Sequence, residues 1–186
     1  KRDTVRALDE FFDQVFIYGD QQIFDFGKEY ALPTSVGNKL TYTGYIQPSS
    51  NLELETTPLY FSNNKPTVTF TLGGGGDGWE YLEIFLEMLE SGISQSEFNS
   101  VILTGPFASP DLVYRAKKLT QKRNDIFCVE FIANTESLFT KSDLVISMGG
   151  YNSSCELASL RKYPLILPRV VPRKEQLIRA QVFQNQ

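Results

Sequence analysis

From residue 67 onward, short and nearly continuous apolar runs alternate with longer stretches in which apolar residues recur every three or four positions. The runs cover 67–72, 101–104, 126–131, 144–147 and 165–167, and the periodic stretches predict helices over 79–91, 111–122, 136–141, 153–162 and 174–183. A strand with one wet face alternates polar and apolar residues, whereas these runs do not, so both faces of their sheet are covered. The pattern therefore predicts an α/β fold, a Rossmann-like parallel sheet with helices on both faces. The helix over 79–91 carries Glu80, Glu83, Glu87 and Glu90 at three- and four-residue spacing, with Leu82, Ile84, Phe85, Leu86 and Leu89 between them. That is a solvated stripe opposite a sheet-covering one, and it needs no catalytic explanation.

Upstream the pattern is less regular. Residues 5–12 read as a helix, 15–19 as an apolar run, 23–30 as a helix, and 40–46 alternate as a strand or extended connection. Residues 47–66 are rich in turn formers and lack periodicity, which predicts a boundary or loose loop. The chain begins at Lys1 without a methionine and ends at Gln186 inside a helical pattern, so a fragment of a longer protein is expected.

Composition narrows the chemistry. The 186 residues are 41% hydrophobic and 22% charged with a net charge of −4, values of a soluble globular protein. No apolar run is long enough to span a membrane, and there is no signal-peptide pattern. Cys128 and Cys155 are too few for a disulfide framework, and two packed thiols in a reducing cytoplasm are expected. Histidine is absent, which excludes a Ser-His-Asp triad, a Cys-His pair and a histidine zinc site within this chain.

Two glycine turns carry the strongest chemical signal. Met148, Gly149 and Gly150 separate the apolar run 144–147 from the next helix, so unpaired backbone N–H groups converge where the helix dipole is positive. Such a turn receives a phosphate without any basic side chain. The second turn, Gly73 to Gly78, follows the run 67–72, and its four consecutive glycines Gly73, Gly74, Gly75 and Gly76 let backbone approach a bulky anion. It satisfies G-x-G-x-x-G, a weak pattern by itself. The second strand ends in Thr104, Gly105 and Pro106, without the acid that a dinucleotide fold places there, and no Gly-Lys-Ser/Thr follows the glycines. NAD and Walker-type readings thereby lose their support.

Glu156 has two readings on spacing alone. Ser153 and Glu156 fit a capping box, with the glutamate folded back onto its own helix. Alternatively Glu156 points into the cleft, where its two oxygens take ribose hydroxyls. Between residues 161 and 180 stand Arg161, Lys162, Arg169, Arg173, Lys174 and Arg179 against one acid, Glu175, a field suited to a diphosphate, to an anionic membrane surface, or to plain solvation.

Taken together, the stretches 129–132, 142–157, 164–168 and 174–176 resemble the donor-binding half of GT-B glycosyltransferases. They are most similar to the bacterial N-acetylglucosaminyltransferases that build the peptidoglycan lipid intermediate, a family 28-like group. The resemblance covers roughly residues 66 to 186. It implies that 1–46 is the tail of an N-terminal acceptor domain and its crossover, 47–66 a linker, and 67–186 a nucleotide-sugar donor domain cut short at its end. It further implies that Phe131 and Ile132 border the base of a UDP-sugar, and that Gly149 and Gly150 through Tyr151, Asn152 and Ser153 receive the diphosphate. Glu156 would grip the ribose, Glu175 and Gln176 would read the sugar, and Gly74, Gly75 and Gly76 would line the phosphates. Asp77, close to that diphosphate, is a departure that favours the ligand only if it faces away or takes a sugar hydroxyl.

The implied activity is hexosyl transfer to an unknown acceptor, without metal, since no Asp-x-Asp cluster occurs. The nucleotide-sugar is a substrate and not a cofactor. The expected partners are the protein's own N-terminal domain or a separate chain, with peripheral contact on the cytoplasmic membrane face and no nucleic acid. The catalytic base is expected outside these residues, and none is named. A donor-binding subunit without its own catalysis, and a nucleotide-sugar epimerase or hydrolase of the same architecture, fit the same residues.

Overall fold

The computed structural model describes residues 2–46, 61, 63–92 and 97–185; most of the predicted linker over 47–66 lies outside them. The first unit comprises α1 (Arg2–Phe11), β1 (Val15–Ile17), α2 (Phe26–Glu29), α3 (Thr34–Gly37) and β2 (Leu40–Tyr42), and β1 pairs in parallel with β2. The helix expected over 23–30 is confined to α2, because the Asp25 side chain accepts the N–H of Lys28 and starts the helix there. The strand expected over 40–46 ends at Tyr42, and Gly44, at φ +74°, bridges instead to Gly19. The single turn α3 has too few residues to show a period and was not anticipated.

The apolar runs become β3 (Thr67–Thr71), β4 (Asn99–Leu103), β5 (Ile126–Val129), β6 (Leu144–Ser147) and β7 (Leu165–Ile166), one parallel sheet in the order β5-β4-β3-β6-β7. Between and after them lie α4 (Trp79–Glu90), α5 (Pro110–Thr120), α6 (Glu136–Lys141), α7 (Tyr151–Ser159) and α8 (Glu175–Gln184).

Strand alternation divides the core into two. Val68, Phe70 and Leu72 pack with Ile102 against Leu82, Phe85, Leu86 and Leu89 of α4 and Ala116 and Leu119 of α5. The rings of Phe70 and Phe85 stack at 4.8 Å. Val101, Leu103 and Val145 face the other way, against Leu138 and Phe139 of α6 and Leu157 of α7. The glutamates of α4 are exposed as expected, and Ile84 sits with them in solvent and not against the sheet. At the strands' N-terminal end, the partly buried Arg123 and the buried Asp125 form a two-point pair at 2.9 and 2.6 Å.

The chain places β4 and β5 on one side of β3, then returns to add β6 and β7 on the other. The connections leaving β3 and β6 therefore diverge, and a crevice opens outside their carboxyl ends. Both glycine turns fall at that switch point.

Candidate functional site

The turn from β3 to α4 contains two kinds of glycine. Gly73, Gly75 and Gly78 have φ of +67°, +76° and +75°, a conformation that side chains rarely adopt. Gly75 is also buried, and a Cβ there would press on the carbonyl oxygen of Thr104 and stand 2.9 Å from Ala108 N. Gly105 returns the constraint, since its own Cβ would meet the carbonyl oxygen of Gly74 at 2.6 Å. The two loops interlock through bare backbone. Phe107 N donates to Gly74 O at 3.0 Å and Trp79 Nε1 to Gly75 O at 2.7 Å, which holds the turn rigid. The space that Gly75 keeps clear belongs to the loop after β4, which corrects the expectation that it clears room for an anion.

Gly74 and Gly76 differ. Both are exposed and outside the left-handed region, and a Cβ would meet nothing closer than Phe107, at 3.7 and 4.0 Å. Nothing within the fold requires glycine at either position.

On the other wall, Gly149 turns at φ +68° and would drive a Cβ to 2.8 Å from Ile166 Cγ2. Gly150 is the N-cap of α7, extended at φ −59°, ψ 158°, with no side-chain cap. Hence α7 starts at Tyr151, two residues earlier than the periodicity predicts, and the N–H groups of Tyr151, Asn152 and Ser153 form its open first turn. The capping box is not formed: Ser153 lies inside the helix.

Glu156 turns away from its own helix start. Its Oε2 accepts a hydrogen bond from Thr135 Oγ1, at the N-cap of α6. The strand β5 stops at Val129, two residues short of its predicted end, so Phe131 and Ile132 lie on the loop leading to Thr135. Phe131 is exposed, while Ile132 packs beneath it on the core around Leu138. Glu156 and the Phe131–Ile132 loop, distant in sequence, thus share one side of the crevice. Thr135 was not singled out; its only signal is that Asn134 and Thr135, both cap-forming types, precede Glu136.

The third wall is α8. Glu175 Oε1 accepts from Arg179 Nη2 at 2.6 Å, and Gln176 Oε1 accepts the backbone N–H of Arg169 at 2.8 Å. Among the described residues, the second oxygen of Glu175 and the amide nitrogen of Gln176 have no hydrogen-bond partner. Asp77 pairs with Arg169, bridging the loops after β3 and β7 that flank β6, so its charge is offset. The basic run is consequently no continuous patch. Besides Arg169, Lys162 donates to the carbonyls of Thr140 and Ser142 at 3.0 and 2.7 Å, and Arg179 is buried; Arg161, Arg173 and Lys174 are exposed.

Burial pushes the Cys128 thiol up to about 11, and burial also raises the Cys155 thiol, so both are protonated at neutral pH. Among the described residues no cluster of His, Cys, Asp or Glu is placed to hold a metal, and no helix is long and apolar enough to cross a membrane. A groove of about 860 Å³ lies beside β7 between α7 and α8, lined by Leu157, Leu165, Phe183 and others. No glycine of either turn lines it, although Ser154, Arg161, Lys162 and Gln184 do, and the crevice at the topological switch point is the better candidate.

No family model matches the chain, and no curated protein matches it. Solved structures do. The glycotransferase of kitacinnamycin superposes with a TM-score of 0.58 at 9% identity, over 93% of this chain and 40% of its own. The glycosyltransferase SnogD from Streptomyces nogalater gives 0.50 at 16%, over 87% of this chain and 41% of its own. MurG of Acinetobacter baumannii gives 0.53 at 14%, over 95% of this chain and 59% of its own. The fold is that of GT-B glycosyltransferases, and the chain spans 40 to 59% of the length of these three proteins.

Proposed function

We propose that the crevice is the donor site of a glycosyltransferase, taking a nucleotide-sugar, with UDP as the nucleotide, for transfer of its sugar to an acceptor held by an N-terminal domain or partner chain. The observation that carries this reading is the uncapped start of α7 across the crevice from Gly74 and Gly76, which the fold leaves bare without needing them to be glycine.

The diphosphate sits against the N–H groups of Tyr151, Asn152 and Ser153, where the helix dipole favours negative charge. Glu156, oriented by Thr135, takes ribose hydroxyls on its remaining acceptor sites, and the Phe131–Ile132 loop borders the base. Glu175 and Gln176 present their unused oxygen and amide to the sugar. Displacement at the anomeric carbon then breaks the bond to the diphosphate, and the preorganised N–H groups stabilise the charge that develops on the leaving UDP. Two of the three superposed structures, the glycotransferase of kitacinnamycin and the glycosyltransferase SnogD, carry that activity in their names and support the same reading.

Calorimetric titration of the chain with UDP, GDP, ADP and their sugars tests it. UDP is expected to bind most tightly. Preference for ADP, or no binding by folded protein, refutes the proposal.

A further inference from the structure

Arg179 is 3% exposed and holds partners from three segments. Its Nη1 donates to the carbonyl oxygen of Gly149 at 2.6 Å, its Nη2 to Glu175 Oε1 at 2.6 Å, and its Nε to the Tyr45 hydroxyl at 3.0 Å. Tyr45 in turn stacks on Tyr151, with ring centroids 5.4 Å apart and planes 10° from parallel. Its neighbour Ile46 donates its N–H to the Tyr151 hydroxyl at 2.9 Å. Tyr151 is the first residue of α7. Residues 45 and 46 are thus fastened to both sides of the β6–α7 turn, through Arg179 to Gly149 and directly to Tyr151.

A guanidinium is costly to bury, and a Leu or Met would fill the same volume without that cost. What the arginine adds is direction. By holding the Gly149 carbonyl it orients the peptide leading into Gly150, and hence the N–H groups of the first turn of α7. It also places a positive charge behind that turn, where little water screens it.

We propose that Arg179 is a positioning residue which, with Tyr45 and Tyr151, couples the seating of the 45–46 segment to the anion-receiving turn. The coupling rests on the donor-site reading above. By linkage, whatever holds Tyr45 in place strengthens diphosphate binding by the same factor that diphosphate strengthens the strap.

Amide hydrogen exchange measured by NMR on the whole 186-residue chain tests this, with and without UDP. Tyr45→Phe removes only the hydroxyl and keeps the ring stack, so the fold survives. Without nucleotide it is expected to speed exchange at Ser154 to Leu157, whose bonds begin at Ser154 N to Gly150 O, by about two- to tenfold, the range for one lost hydrogen bond. The amides of β3 should be unchanged. Arg179→Lys, which cannot reach all three partners, should do the same, and the double variant should add little because both act through one path. Loosening confined to 45–46, or full additivity of the two variants, overturns the strap. With UDP, the Ile46 amide should slow together with α7; slowing of α7 alone overturns the coupling. Failure of UDP to bind at all refutes the donor reading, while the nucleotide-free comparison still decides on the strap.

Discussion

Adding one methyl group to each glycine of the β3–α4 turn separates those the fold needs from those a ligand would need. At Gly75 an alanine has two costs. Holding a residue with a Cβ at φ +76° costs about 1–2 kcal/mol, and forcing the methyl between Thr104 O and Ala108 N adds about 1–3 kcal/mol of overpacking against backbone that cannot swing aside. The sum, about 2–5 kcal/mol, corresponds to a fall in Tm of roughly 4–20 °C for a chain of this size. Gly74→Ala and Gly76→Ala meet only ordinary contacts with Phe107 at ordinary φ, and are expected to leave stability within about 1 kcal/mol or to raise it slightly by restricting the unfolded chain. If the bare backbone at 74 and 76 receives phosphate, these same two variants should weaken UDP binding. The assay is thermal denaturation of all three variants beside calorimetric titration with UDP. A Gly75→Ala protein with unchanged Tm would refute the interlocked-loop argument, and full UDP affinity in both Gly74→Ala and Gly76→Ala would refute the ligand role of this turn.

Glu156→Gln should weaken UDP binding by about 1–3 kcal/mol, as for loss of a hydrogen bond to a charged group, with Tm little changed; unchanged calorimetric affinity would leave Glu156 only its bond to Thr135. Asp77→Asn removes a negative charge beside the crevice and releases Arg169, so UDP affinity should rise by up to about fivefold, the scale of a part-exposed ion pair, and the gain should shrink at high salt; weaker binding would mean that Asp77 itself touches the ligand. The Arg123 guanidinium, hydrogen-bonded to Asp125, holds that carboxyl below its ordinary value of 3.8. A depressed native pKa contributes stability that is complete above the ordinary value and is lost as pH falls through the native one, so denaturant midpoints should drop in acid, and Asp125→Asn should lessen that dependence, leaving the shares of Glu90 and Asp25, whose carboxyls are also held low by hydrogen bonds, while costing about 3 kcal/mol near neutrality. The 186-residue chain alone should bind a UDP-sugar yet transfer nothing, on the reading that the acceptor and its base belong to an N-terminal domain or partner chain and that the base must come within hydrogen-bond reach of the acceptor hydroxyl; acceptor-dependent turnover in a radiolabel assay would contradict this.

Periodicity alone determined the architecture from residue 67 onward, because a strand buried on both faces must be apolar throughout and a helix covering it must be apolar every three or four residues. Those constraints act along the chain, and they placed all five strands of the main sheet within two residues at each end. The same local logic located both glycine turns at the carboxyl ends of strands. Strand order, which brings the turns face to face, is a property of pairing between distant segments and became visible only in three dimensions. So did the fates of the individual polar groups. Local spacing allowed Glu156 to cap its own helix, but Gly150 took the N-cap and left the carboxylate to Thr135, 21 residues upstream. Asp77 is an unfavourable charge by its local spacing, but Arg169, 92 residues away, stands beside it. Gly75 read as room for a ligand until the loop after β4 filled that room. Arg179 is by its spacing one of six basic residues suited to a diphosphate, an anionic membrane surface or plain solvation, whereas it is buried beneath the turn it holds, against a tyrosine 134 positions earlier. In each case the deciding partner lies far along the chain, and the energy of a charge or hydrogen bond depends on what stands within a few ångströms, which packing decides and a linear pattern does not carry.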